Sequence, residues 1–250
     1  MKAYVINLPE AVERLEHVSN NLEKFSLDYE IVEGIRGANL VLPHKDYAEL
    51  SYNLMHGKRT NLSEVGCYFS HIKALDIFLK SGDTHGLILE DDITFNENFN
   101  DVLSQALTHT DKWDLLRLSG LHAGTSVKIL SLTQDYSLSC NITRQTGAGA
   151  YIVNQNAAEL MIKHLLPMKL PYDHAFDTEW NFNIRTMFVT PPPIDQKNGF
   201  QSQISSTRKG RKFRSYRYIT VFPSRTYREL NRLIYRVVQV IKYKFFSFRK

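Results

Sequence analysis

Residues 86–92 read Gly86-Leu87-Ile88-Leu89-Glu90-Asp91-Asp92, an uncharged run that ends abruptly in three acids. An apolar run without polar alternation is the pattern of a strand covered on both faces, as in a parallel sheet. Upstream, Asn61 opens a helix with Glu64 three positions on, in capping-box style. Val65, Phe69, Ile72, Leu75 and Leu79 then recur at helical spacing until Ser81-Gly82-Asp83. Earlier still, Lys2–Leu8 predicts a strand, and Pro9 opens a helix carrying Val12, Leu15, Val18, Leu22 and Phe25. Tyr29–Val32 returns as a strand, whereas residues 36–60 have no clear period and predict a long loop. Downstream, strand-like runs at 115–118, 150–153 and 187–189 alternate with helical runs near 99–109 and 156–166. Such alternation predicts an α/β layered fold with a mostly parallel central sheet.

Three adjacent acids repel one another unless something compensates them. At the carboxyl end of a central strand they sit where open α/β sheets bind ligands. A hard divalent cation, Mg²⁺ or Mn²⁺, bridging to a diphosphate would neutralise them. The competing reading is a solvated acidic turn. Other chemistries lack their signatures: GxGxxG, GxxxxGK and GxSxG are absent, and His71 has no HxxxH or HExxH partner. Cys67 and Cys140 are too few for a disulfide framework and lack the CxxC spacing of a zinc site.

The 250 residues carry a net charge of +5, which conceals two opposite halves. From Arg208 to Lys250 there are 14 Lys/Arg and one acid, Glu229, a charge of +13. The remaining 207 residues hold 17 basic and 25 acidic side chains, a charge of −8. This divides the chain into an acidic body, 1–207, and a basic segment, 208–250, suited to a polyanionic partner. Leu230, Leu233, Ile234, Val237, Val238, Ile241 and Phe245 recur at helical spacing, with Arg225, Arg228, Arg232 and Arg236 largely opposite. That pattern predicts a helix on an anionic membrane surface, with Phe245-Phe246 and Phe248 inserting shallowly. Docking of the apolar stripe on the body is one rival. Nucleic-acid binding through Arg208–Arg217, with Phe213 and Tyr216 interleaved, is the weaker other. Met1-Lys2 leads into an apolar run too short for a signal peptide, and no run approaches a membrane span. The expectation is a cytoplasmic protein, peripheral on the inner membrane.

Ile88-Leu89-Glu90-Asp91-Asp92-Ile93 resembles the "LEDD" signature of family 25 glycosyltransferases, the group of bacterial lipooligosaccharide galactosyltransferases and collagen galactosyltransferases. Four more segments resemble that family in the same order: Tyr4–Leu8 with Arg14, Glu64–His71, Thr146–Tyr151 and Pro171-Tyr172-Asp173. Ala148-Gly149, Tyr172 and the polar Thr84-His85 depart from its usual pattern. The resemblance implies a GT-A-like, Rossmann-type fold that moves a hexose, galactose first, from a UDP-sugar to a lipooligosaccharide acceptor with inversion. It implies Asp91 and Asp92 as metal ligands, Glu90 toward ribose or donor sugar, and Asn7, Leu8 and Arg14 around the rest of the donor. Asp173 is the candidate base. Asp177 is the alternative, and reads equally as a helix cap. Ser70, His71 and His174 are candidates for the acceptor pocket. A surface ion pair for Arg14, a buried pair for Ser70-His71 and an exposed loop histidine for His174 stand as alternatives. Two other functions remain in view. One is a catalytically inactive protein binding membrane or nucleic acid through the basic segment; the other is a metal-dependent phosphohydrolase using the same acids.

Overall fold

The computed structural model describes residues 1–121, 124–196 and 217–246. In chain order the elements are β1 (Lys2–Asn7), α1 (Val12–Lys24), β2 (Tyr29–Glu33), α2 (Glu49–His56), α3 (Leu62–Ser81), β3 (His85–Glu90), β4 (Thr94–Phe95), α4 (Phe99–Leu107) and β5 (Leu115–Arg117). After these come β6 (Ser126–Ser131), β7 (Ser137–Asn141), β8 (Ala150–Asn154), α5 (Gln155–Leu165), α6 (Tyr172–Ala175), β9 (Thr186–Thr190), β10 (Ile194–Asp195) and α7 (Arg217–Ile241). Eight strands form one sheet in the order β2-β1-β3-β8-β5-β9-β7-β6, and β4 pairs with β10 separately. Six of the eight run in one direction; β7 and β8 oppose them. The sheet is thus mostly parallel, as the alternating pattern predicts.

Apolar side chains cover both faces. Val65, Leu75, Phe78 and Met161 from α3 and α5 pack on one face. Val18, Leu22, Val102 and Ala106 from α1 and α4 pack on the other. Leu87, Ile88 and Leu89 are fully buried between these layers, so the uncharged run is indeed a doubly covered strand. The chain leaves β1 for β2 on one side and returns at β3 on the other, with Ile6 beside Glu90. The carboxyl ends of β1 and β3 therefore meet at a topological switch point.

Several elements depart from the sequence reading. Residues 36–60 contain α2, whose Tyr52 and His56 are buried. The short strands β6 and β7, rich in serine, carry too little apolar alternation to stand out. At α3, Asn61 caps Ser63 N at 3.2 Å, but Glu64 does not reach back; it accepts a hydrogen bond from Tyr52 Oη instead.

The largest correction concerns α7. It begins at Arg217 rather than Arg225 and carries Pro223 within it. Its arginine face, not its apolar stripe, packs on the body. Asp177 and Glu179 lie at 1% exposure. Asp177 Oδ1 meets Arg117 Nη1 at 3.0 Å and Arg236 Nη2 at 2.7 Å, and Oδ2 meets Arg232 Nε at 2.9 Å. Glu179 Oε1 takes Arg236 Nε at 2.5 Å. The stripe from Leu230 to Phe245 faces outward instead, so neither docking by that stripe nor arginines spread toward lipid describes the helix. Arg208–Tyr216 and Phe248 lie outside the described residues. No helix among the described residues is long and apolar enough to cross a membrane.

Removing one partner of a buried ion network leaves uncompensated charge and costs about 3–5 kcal/mol. Asp177→Ala should accordingly lower the melting temperature by about 10 °C, since roughly 2–4 °C accompany each kcal/mol at this size. Calorimetry showing an unchanged melt would mean that the network holds nothing together.

Candidate active site

The acids at the end of β3 are held from β1 and α1. Asn7 Nδ2 donates to Asp91 Oδ2 at 2.8 Å. Arg14 forks across the pair, with Nη1 2.5 Å from Asp91 Oδ1 and Nη2 2.7 Å from Asp92 Oδ2. Arg14 is thus neither a surface ion pair nor free to hold a ligand by both nitrogens. Asn7 is buried behind Asp91 and orients it rather than lining the cavity. Burial raises the Asp91 carboxyl, against the pull of Arg14 and Asn7. Burial, with Glu90 and Asp91 adding to it, pushes Asp92 up to about 7 despite Arg14.

Glu90 is approached from two other directions. Gln196 Nε2 donates to Oε2 at 3.0 Å, and His71 Nε2 lies 3.2 Å from Oε1. The His71 ring stacks on Tyr172, centroids 4.0 Å apart and planes 5° apart. Tyr172 Oη and Tyr151 Oη share a hydrogen bond of 2.8 Å. The glycines of Thr146–Tyr151 make room for this arrangement, since a Cβ on Gly149 would lie 1.9 Å from Gln196 Nε2. A Cβ on Gly66 would likewise meet Ile35 O at 2.4 Å, so glycine lets the first turns of α3 approach the 34–37 loop. Gln196 does not stand out in the sequence, because only the folded chain brings it to Glu90.

Two cavities meet at these acids. One, of about 360 Å³, is lined by Leu8, Arg14, Ser70, His71 and all three acids. The other, of about 230 Å³, shares His71, Glu90 and Asp92 and is closed by Asp173 and His174. Asp173 follows Pro171 at the start of α6, and its Oδ1 lies 3.9 Å from His174 Nε2. Ser70 falls in the first cavity, not beside Asp173. Its Oγ donates to Gly66 O at 2.8 Å and accepts from Ile35 N at 2.7 Å. Asp177 lines neither cavity; its burial among three arginines withdraws it from the site and gives it a structural place. The sequence reading passed over His56 and Lys58 and gave no site role to Glu64 and Cys67 of the Glu64–His71 motif, and all four line the second cavity.

Among the described residues, one guanidinium faces three carboxylates here, a donor set suited to a hard divalent cation. Cys67, His71 and Glu90 also bring ligand atoms within 4.8 Å of one another. Burial, however, holds the Cys67 thiol well above its ordinary range, which keeps it neutral and a poor ligand. Glu90, Asp91 and Asp92 are the better-matched group.

A mostly parallel α/β sheet with acids at its switch point, beside two adjoining cavities, puts these residues where ligands enter such folds. The profile of Glycosyltransferase family 25 (LPS biosynthesis protein) matches residues 1–176. The chain belongs to that family. It is 25% identical over 203 residues to the lipooligosaccharide biosynthesis protein lic2B of Haemophilus influenzae, covering 75% of this chain and 73% of that one. It is 26% identical over 123 residues to a glycosyltransferase 25 family member of Aedes aegypti, covering 45% of this chain but only 20% of the relative. Among solved structures, a Drosophila galactosyltransferase in complex with manganese, UDP-Gal and xylobiose aligns over 88% of this chain and 78% of that one. Its TM-score is 0.39 at 10% identity.

The raised Asp92 carboxyl gives a pH signature. An unfolded aspartate releases its proton near pH 4, about 3.9, whereas folded Asp92 retains it to about pH 7. Ionising Asp92 therefore costs the ligand-free fold stability as pH rises across that window. Asp92→Asn should melt several degrees higher than the wild type at pH 8, with the gain shrinking toward pH 4. A gain that grows toward acid would contradict the assigned shift.

Proposed function

We propose that this chain transfers a hexose, galactose first, from a UDP-sugar to a sugar of a lipooligosaccharide acceptor, with inversion. The observation that carries this reading is the position of Glu90 and Asp92 on the wall common to two adjoining cavities, with Asp91 lining the larger one. The larger cavity takes the donor, with Leu8 and Arg14 along it. The smaller takes the acceptor, with Asp173 and His174 at its end and His71 between the two.

In the reaction, the acceptor hydroxyl oxygen bonds to the anomeric carbon of the hexose. The bond from that carbon to the diphosphate oxygen breaks, and its electron pair leaves with UDP. Asp173 takes the hydroxyl proton, a role that requires an ionised carboxylate facing the acceptor. Mn²⁺ or Mg²⁺ bound by Asp91 and Asp92 would offset the charge that builds on the leaving diphosphate. Glu90, fixed between His71 and Gln196, faces the ribose or donor sugar.

The enzyme should be assayed with a panel of UDP-sugars against lactose, glucose and N-acetylglucosamine in the presence of Mn²⁺. Product only from UDP-galactose would support the reading; release of free sugar without an acceptor would favour a phosphohydrolase instead. Asp173→Asn should lower kcat by roughly 10²–10⁴ while leaving the donor KM close to wild type. A parallel collapse of donor binding would move Asp173 from base to donor ligand.

We further assign residues 1–207 to catalysis and the segment 208–250 to an anionic membrane surface, which keeps the protein peripheral on the inner membrane. Supporting this is the outward face of α7, where Leu230, Leu233, Ile234, Val238, Ile241 and Phe245 are 43–72% exposed. Burying one such side chain contributes about 1.5–3 kcal/mol. Leu230→Ser with Ile234→Ser should therefore weaken sedimentation with anionic vesicles about ten-fold or more and leave the melt unchanged. Vesicle binding at wild-type strength would remove α7 from the membrane contact.

A further inference from the structure

The end of the smaller cavity holds two buried imidazoles whose ring nitrogens the transfer reaction as derived leaves unused. His56, the last residue of α2, and His174, in α6, both line that cavity. Their rings meet edge to face with centroids 5.3 Å apart. His56 also packs against Tyr52, one turn earlier on α2, with centroids 5.1 Å apart. The His56 side chain is only 4% exposed, yet neither of its ring nitrogens has a hydrogen-bond partner. Nδ1 of His174 is likewise buried without one.

Two carboxylates come close to these rings without bonding them. Glu64 Oε2 stands 3.8 Å from His56 Nε2 and is occupied by the Tyr52 hydroxyl. Asp173 Oδ1 stands 3.9 Å from His174 Nε2. Both gaps exceed a hydrogen bond. Burial keeps the two rings neutral, pushing His56 down to about 3 and His174 well below its ordinary range. Packing alone gives no reason for histidine at position 56. A phenyl ring would serve the contacts with Tyr52 and His174 and would leave no buried nitrogen unpaired, which is the unfavourable part of the present arrangement.

A neutral imidazole carries one N–H donor and one lone pair, so the group that satisfies a pair of them must both donate and accept. An anion only accepts, and Glu64, Glu90, Asp92 and Asp173 on the same cavity disfavour it. An ammonium only donates, and Lys58 already lines the cavity. A hydroxyl does both. We infer that His56 and His174 form a subsite for hydroxyl groups of an uncharged acceptor sugar, other than the hydroxyl that reacts. The inference rests on the smaller cavity being the acceptor side. It extends that reading by naming uncharged sugars as the acceptor class and His56 as a residue that holds them. Because His174 directly follows Asp173, a sugar bound there keeps its reacting hydroxyl beside the base.

Two variants of the full chain test this separately from transfer itself. His56→Phe keeps the ring packing and removes both nitrogens, whereas His56→Gln keeps a donor and an acceptor. His56→Phe should melt at or above the wild-type temperature. A melt that falls in both variants would make the nitrogens part of the fold and overturn the subsite. Lactose, glucose and N-acetylglucosamine are each titrated by NMR, with UDP present to fill the larger cavity. The sugar that binds best should lose about ten-fold in affinity in His56→Phe, the size expected for one or two hydrogen bonds, and His56→Gln should recover most of it. UDP itself should bind all three proteins alike. No binding by any of the three sugars, or equal binding to wild type and His56→Phe, overturns the subsite. So does tighter binding of glucosamine or glucuronate than of glucose, which would give the cavity to a cation or an anion. Should sugar binding follow the variants while no hexose is transferred, the transferase reading falls and the hydroxyl subsite stands. Should transfer proceed with the acceptor KM unmoved in His56→Phe, the subsite falls and the transferase reading stands.

Discussion

A carboxylate taken out of water is tolerated only where cations and donors replace its hydration, and Asp177 obtains this from Arg117, Arg232 and Arg236 at once. Much of the site hangs from that contact. Arg117, at the end of β5, donates to Gln145 O at 3.2 Å and to Gly147 O, and so shapes the turn that leads to Gly149. Gly149 leaves the space through which Gln196 reaches Glu90. Arg236 donates to Asn141 O at 2.9 Å, fixing the other end of the same turn, and binds Glu179 from α7. One buried acid thus couples the last helix to the turn that lines the smaller cavity beside Glu90.

The acid triplet is balanced differently. Arg14 bonds both Asp91 and Asp92, and burial works against the charge of each. Asp92 is pushed up to about 7, so a cation arriving there meets both a proton and the Arg14 guanidinium. Asn7, by contrast, spends its amide on Asp91 and keeps that carboxylate pointed at Arg14. Of the two residues that resemble a donor-binding pair in sequence, Asn7 bonds Asp91 from behind, whereas Arg14 bonds both acids and also lines the larger cavity.

What was legible in the sequence follows from periodicity and spacing. Gly86–Leu89 gave a doubly covered strand because burial on both faces leaves a run with no polar alternation. The family motifs brought Glu90, Asp91, Asp92, His71 and Asp173 to adjoining cavities. The orientation of α7 was not legible. An amphipathic pattern separates two faces but does not say which one is covered, and here the deciding partners, Asp177 and Glu179, lie more than forty residues away in sequence. Asp177 was misread for the same reason: beside Asp173 it looks like a second site acid, and only the three arginines reveal its place. α2 was missed because its eight residues are too few for a helical period to emerge from the surrounding polar chain.

Tyr172 shows how a departure from the family pattern can still be a working part. Where a small aliphatic side chain is usual, its ring stacks on His71 and its hydroxyl bonds Tyr151. His71 in turn touches Glu90, while Tyr172 directly precedes Asp173. The distance between Glu90 and Asp173 is therefore set by packed rings. A smaller residue at 172 would leave His71 without its stacking partner and give Asp173 freedom to drift from its place in the smaller cavity. Inverting transfer depends on placing a base opposite the departing diphosphate, and small errors in that placement are costly. The stacked pair thus links the two halves of the proposed reaction through a contact that neither half requires by itself.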